Sequence, residues 1–194
     1  MDEVRQMTFT ERFVARLGEL QRAEQAILKR NAGNTLAESR AAPAIFFRLY
    51  GNGPEREEEV FFLVASLFGL NKYSLKGDFG KTMLALKKAK GDSESIDRRF
   101  SILLDSQFGL VDGFRPGGGE LAYRLRQCVK LAASEMIGVD WVQLLNDLKW
   151  WNHAEKRVQK RWARSYFGSS ATTAAENGDG SVAAQATTDG TGNQ

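Results

Sequence analysis

The chain has 194 residues, 42% of them hydrophobic, with 4 Trp and 12 Phe, enough for one domain or two small helical lobes around a buried interior. One cysteine, Cys128, excludes an intrachain disulfide and fits a reducing cytoplasm, and one Cys beside one histidine, His153, excludes a Cys/His zinc cage. The net charge of +3 hides an uneven spread: residues 168–194 hold no Lys or Arg and the acids Glu176, Asp179 and Asp189, so the rest carries 27 basic against 21 acidic side chains, an excess compatible with a phosphate-binding surface.

No uncharged apolar run reaches bilayer length; the longest, Val60 to Leu70, contains Ser66 and Gly69. The start, Met1 to Arg5, predicts no secretory signal. In chain order, the spacing predicts a first long helix from Thr8 to Arg30. Thr8 and Glu11 have capping-box spacing, and Phe13, Leu17, Leu20, Ile27 and Leu28 share one face. Gly33 ends it. Pro43 opens a short aromatic helix, Ala44 to Tyr50. Pro54 and the acids Glu55, Glu57, Glu58 and Glu59 start a central helix through Val60 to Phe68.

After a loop from Leu70 to Gly77, Asp78 caps a helix to about Lys90, with Phe79, Met83 and Leu86 inward. Ser93 caps the next, with Ile96, Phe100, Leu103 and Leu104 inward. Residues 106–119 read as a Gly-rich loop with no strand. A helix follows from Glu120 to Ile137, then one capped by Asp140 with Trp141, Leu144, Leu145 and Leu148 inward. The last carries Val158, Trp162 and Tyr166. The expected fold is all-α: an N-terminal helical lobe (1–106), a Gly-rich inter-lobe loop (107–119), a C-terminal lobe (120–167) and a disordered tail (168–194).

Gly80-Lys81-Thr82 imitates the end of a phosphate-binding loop, and Ile102-Leu103-Leu104-Asp105 the strand that accompanies one. The loop needs a glycine five positions earlier, where Leu75 stands, and a strand before it. His153 lacks a nucleophile fixed by sequence and reads as a half-exposed helix histidine. Cys128 falls on an apolar stripe and reads as a core thiol. Asp92, Glu94 and Asp97 read as helix N-terminal charges. The Gly117–Gly119 run could bind an anion ahead of its helix, though a flexible loop suits it better. No catalytic set, metal or cofactor site is expected.

Basic clustering remains. Lys72 to Lys90 holds six lysines (72, 76, 81, 87, 88 and 90) against Asp78. Lys149 to Arg164 holds Lys149, Lys156, Arg157, Lys160, Arg161 and Arg164 against Glu155. Solvated helix faces are the ordinary explanation of such runs. Two of them in a chain without catalytic residues point to nucleic acid, and the scarcity of exposed-looking aromatics within these clusters points to backbone contact rather than base stacking.

The ordered set Ile27-Leu28-Lys29-Arg30, Pro43-Ala44, Gly80-Lys81, Asp97-Arg98-Arg99-Phe100, Leu125-Arg126, Asp140-Trp141 with Leu144-Leu145, and Trp150-Trp151 resembles the CasB small subunits of type I-E CRISPR Cascade complexes, over about residues 10–167. The resemblance implies a non-catalytic cytoplasmic subunit, present in two copies beside crRNA and other Cascade subunits. It would hold target and displaced (non-target) DNA strands of the R-loop without reading sequence. It carries over Lys29, Arg30, Lys81, Arg98, Arg99 and Arg126 as nucleic-acid-binding positions. Lys87, Lys88, Arg157, Lys160 and Arg161 join them on charge clustering alone. A helical scaffold whose basic faces bind acidic protein surfaces is the alternative.

Overall fold

The computed structural model describes residues 6–168; apart from Gly168, the expected tail lies outside the described residues. Thr8 starts α1 (Phe9–Gly18) with the expected capping box, its hydroxyl accepting from Glu11 N and its own N–H donating to the Glu11 carboxylate at 2.7 Å. The long first helix is in fact two. The chain breaks at Glu19–Gln21, and α2 (Arg22–Arg30) starts afresh with Gln21 N donating to Glu24. Gly18, a poor helix former, stands at the break, and the bend lets Leu17, Leu20 and Leu28 all bury.

Pro43 lies in the first turn of α3 (Ala42–Tyr50), and a 3-10 turn at Glu55–Glu57 leads into α4 (Glu58–Phe68). Residues Glu59 to Leu67 of α4 are all buried, because α1, α2 and α3 pack on it together with α7 and α8 (below). Edge-to-face and stacked contacts join Phe13, Phe46, Tyr50, Phe61 and Phe62. Each such buried ring contributes about 1.5–3 kcal/mol through its apolar area.

Asp78 caps α5 (Phe79–Ala89), accepting from Lys81 N at 3.2 Å. Ser93 precedes α6 (Glu94–Asp105) without capping it; its hydroxyl pairs with Ser95 Oγ. The 106–119 segment is a small antiparallel hairpin, β1 (Leu110–Val111) and β2 (Arg115–Pro116), rather than a featureless loop. Asp112 and Gly113 both have positive φ, the geometry that Asp-Gly favours in tight hairpins. The glycine run is held in this hairpin, with Gly117 N donating to Gly109 O at 2.8 Å. Helix α7 (Gly119–Ser134) stops three residues early, as Ile137 N turns back to Ala132 O.

Asp140 caps α8 (Trp141–Leu148) as expected, and α9 (Arg157–Ala163) runs into a π turn, Arg164–Gly168. That turn packs on α5 and brings Tyr166 against Phe100. Helices from both sides of the hairpin share one continuous apolar core.

Candidate nucleic-acid interface

Helical periodicity turns Tyr123, Gln127 and Lys130 of α7 outward, with Arg126 on one flank and Arg124 on the other. The Arg126 stem lies over Gly33, where an added Cβ would meet its Cδ at 3.3 Å. Gly33 follows closely on Lys29 and Arg30, which are exposed at the C-terminus of α2. The Nε of Arg126 is buried without a hydrogen-bond partner. Folding thus brings Arg126 over the turn that follows α2, while Lys29 packs its stem against Gly69.

The other flank faces α6, which packs against α7. Ser95, Arg98, Arg99 and Ile102 share one side of α6 at helical spacing, and a cavity of about 520 Å³ lies among Glu94, Ser95, Arg98, Arg99, Ile102 and Arg124. A smaller one, of about 170 Å³, continues along Arg99, Ile102, Tyr123, Arg124 and Gln127 to Cys128. Arg124 is held by Glu120 at 3.2 Å and lies 5.7 Å from the Tyr123 ring centroid. Cys128 is the buried floor; burial pushes its thiol up to about 12, against the pull of Arg99 and Arg124. A thiol so protonated is a core group, as its position on the apolar stripe predicted.

The charge clusters divide. Lys81, Lys88 and Lys160 are exposed and, like Lys29, Arg30, Arg98, Arg99 and Arg126, form no ion pair with a described residue. Lys87 is different: it meets Asp97 at 3.0 Å and lies 5.8 Å from the Tyr166 ring centroid. The Tyr166 hydroxyl donates to Asp97 at 2.6 Å. That bond, with Lys87, holds the Asp97 carboxyl below the usual range, while burial and then Asp97 push the Tyr166 hydroxyl above its own. Asp97 stands in the first turn of α6 as expected, and it is also a partner of Lys87 and Tyr166.

Arg161 is tied to the buried Asp147 and lies 3.9 Å from Asp78, and Arg157 pairs with Glu155. Lys149, counted in the second basic run, turns inward: its Nζ sits 3.0 Å from Glu57 and 4.7 Å from the Phe61 ring centroid. Glu155 lies inside the run, but Glu57 and Asp78 come from distant parts of the chain, so charge counting along the sequence could not find them.

The imitation phosphate loop lies in the first turn of α5. Gly80 is there for packing, since an added Cβ would sit 2.2 Å from Trp162 O, and Thr82 donates to Gly138 O at 3.1 Å. Ile102 to Asp105 is helix, not strand. His153 is exposed in the turn between α8 and α9, not on a helix. Among the described residues no cluster of His, Cys, Asp or Glu could hold a metal, and no helix is long and apolar enough to cross a membrane.

Within the two basic runs only Trp150 is an exposed ring, in keeping with the expectation of few exposed aromatics there; outside the runs, on α7 and the hairpin, other rings are exposed. Tyr123 is 52% exposed, Trp150 65% and Phe114 70%. Trp150 escapes the core because the chain turns at the end of α8, burying Trp151 in its place. Tyr123 was legible from the outward position it takes on the α7 wheel.

An all-helical body with unpaired cations gathered on helix faces, and no metal cluster among its described residues, defines a class of charge-presenting helical proteins. Residues 24–167 match the family described as CRISPR-associated protein Cse2. A Cse2 protein of Thermus thermophilus is 36% identical over 141 residues, which cover 70% of this chain and 73% of that one. The chain belongs to the Cse2 family. The crystal structure of M. ruber CasB shares the fold with a TM-score of 0.69 at 28% identity, over 88% of this chain and 99% of that one. A chain of a CRISPR RNA-guided surveillance complex does so with a TM-score of 0.67 at 19% identity, over 87% of this chain and 97% of that one; at that identity the likeness is one of fold.

Proposed function

We propose that the chain is the non-catalytic small subunit of a crRNA-guided Cascade surveillance complex, present in two copies, which holds the target and displaced DNA strands of the R-loop by their backbones. Membership of the Cse2 family supports the setting. The observation that carries the DNA role is the set of cations without acidic partners among the described residues: Lys29 and Arg30 at the end of α2, Arg126 over the turn that follows it, and Arg98 and Arg99 in the groove beside Arg124. Guide–target pairing reads the sequence and R-loop formation is nearly balanced, so contacts to phosphate suffice to tip it. Lys81, Lys88 and Lys160 extend the same role; Lys87, Arg157 and Arg161 contribute only what their carboxylate partners leave.

The test is R-loop formation by the assembled complex with Arg98→Ala and Arg99→Ala together, at several salt concentrations. Affinity should fall alike for all matched targets, and the salt slope should flatten by about 0.7 for each lost single-strand contact. A scaffold for acidic proteins predicts failed assembly with unchanged DNA affinity in the complexes that do form.

A further inference from the structure

We infer that Tyr123 is a stacking platform for an unpaired base of single-stranded DNA, flanked by Arg98, Arg99 and Arg124. The inference rests on the proposed function and adds to it a contact with the base itself. Four observations converge. The ring is half exposed on a regular helix, so no local disorder explains its exposure. It lines a cavity that adjoins the arginine groove, the two sharing Arg99, Ile102 and Arg124 as lining residues. Ile102, 37% exposed, gives the opposite wall an apolar surface. Arg124, braced by Glu120, lies 5.7 Å from the ring centroid and leaves the Tyr123 face its cationic neighbour.

Tyr123 and Ile102 line the smaller cavity together, so apolar surface stands directly beside the arginines. A single strand presents phosphate and a flat apolar base together, and aromatic rings beside cations bind that combination without regard to sequence. The acids of the groove fit this division: Glu120 is occupied by Arg124, and Glu94 stands at the far end, at the start of α6. Trp150 and Phe114 share a groove whose cations both have an acid beside them: Glu57 lies 3.0 Å from Lys149 and 3.9 Å from Arg56.

The experiment measures binding of the full chain to an oligothymidylate and to an abasic DNA strand of equal length, for the unaltered chain, Tyr123→Ala, Tyr123→Phe and the Arg98→Ala/Arg99→Ala pair. Tyr123→Ala should weaken oligothymidylate binding about tenfold and leave abasic binding and the salt slope unchanged. Tyr123→Phe should bind like the unaltered chain. The arginine pair should weaken both strands and flatten the slope. If Tyr123→Ala binds both strands normally while the arginine pair loses both, stacking is wrong and the phosphate role stands. If the arginine pair also binds normally, the phosphate role of the α6–α7 groove fails with it. A Tyr123→Phe loss as large as that of Tyr123→Ala overturns stacking in favour of the hydroxyl. Impaired entry of Tyr123→Ala into the complex, with normal DNA binding, overturns it in favour of a protein contact.

Discussion

The corner formed by α8, α9 and α5 and the face formed by α6 and α7 are both rich in cations, and they use them in opposite ways. At the corner, Asp147 is buried and accepts from Trp162 Nε1 at 2.6 Å and from Gln143 at 2.7 Å while pairing with Arg161. Asp78 accepts from Ser165 at 2.6 Å. Arg161 and the two carboxylates are answered there by partners that include buried groups, while Lys81, Lys88 and Lys160 stay exposed on the outer faces of the same helices. On the α6–α7 face, Arg98, Arg99 and Lys130 have no described acid within ion-pair distance, and only Arg124 is braced. Lys and Arg side chains in a basic run therefore carry different meanings, and what separates them is whether folding delivers a carboxylate.

The sharpest way to break the comparison is at the corner. Trp162→Ala should cost about 3–5 kcal/mol, because the fully buried ring fills space beside Phe79 and Trp151; a denaturant midpoint near that of the unaltered chain would refute the core role. Asp147→Ala should follow with a loss of about 1–3 kcal/mol, from leaving the Trp162 N–H unsatisfied, read by the same titration. On the other face, the Arg98→Ala/Arg99→Ala pair should shift stability by less than about 0.5 kcal/mol, even as it alters DNA binding. A clear drop in its thermal midpoint would mean that these arginines are structural after all.

The smallest expected effect is a pH dependence where the two regions meet. Asp97 has its pKa lowered by Tyr166 and Lys87, so its contribution is present above the ordinary carboxylate pKa of about 3.9 and is lost as pH falls through the lower folded value. Asp97→Asn should flatten the acid limb of a stability–pH curve and leave its neutral part nearly level. An unchanged acid limb would show that the triad of Asp97, Lys87 and Tyr166 does not couple to folding.

Local chemistry made most of the fold legible. Thr8, Asp78 and Asp140 announce helix starts because a cap and its partner lie three residues apart. The break at Glu19–Gln21 was harder, since the apolar stripe runs straight through it; Gly18 and the Gln21–Glu24 spacing were its only local signs. The hairpin was signalled by Asp112-Gly113, but its strands are only two residues long, too short for a period of two to show. The candidate site was half legible. Helix position marks Arg98, Arg99 and Tyr123 as outward, whereas the inward turn of Lys149 depends on Glu57 and Thr10, far away in sequence.

Ser165 and Tyr166 close on residues made long before them: Asp78, 87 positions earlier, and Asp97, 69 positions earlier. During synthesis, α5 and α6 therefore emerge with a docking place that nothing yet fills, and the Phe79 and Phe100 side chains wait uncovered. Chain growth adds residues over seconds, whereas helices form in microseconds, so this opening persists for most of the time a ribosome spends on the second half of the molecule. The π turn acts as a latch, set only when nearly the whole described chain exists, and a product cut short before Val158 lacks any means to set it.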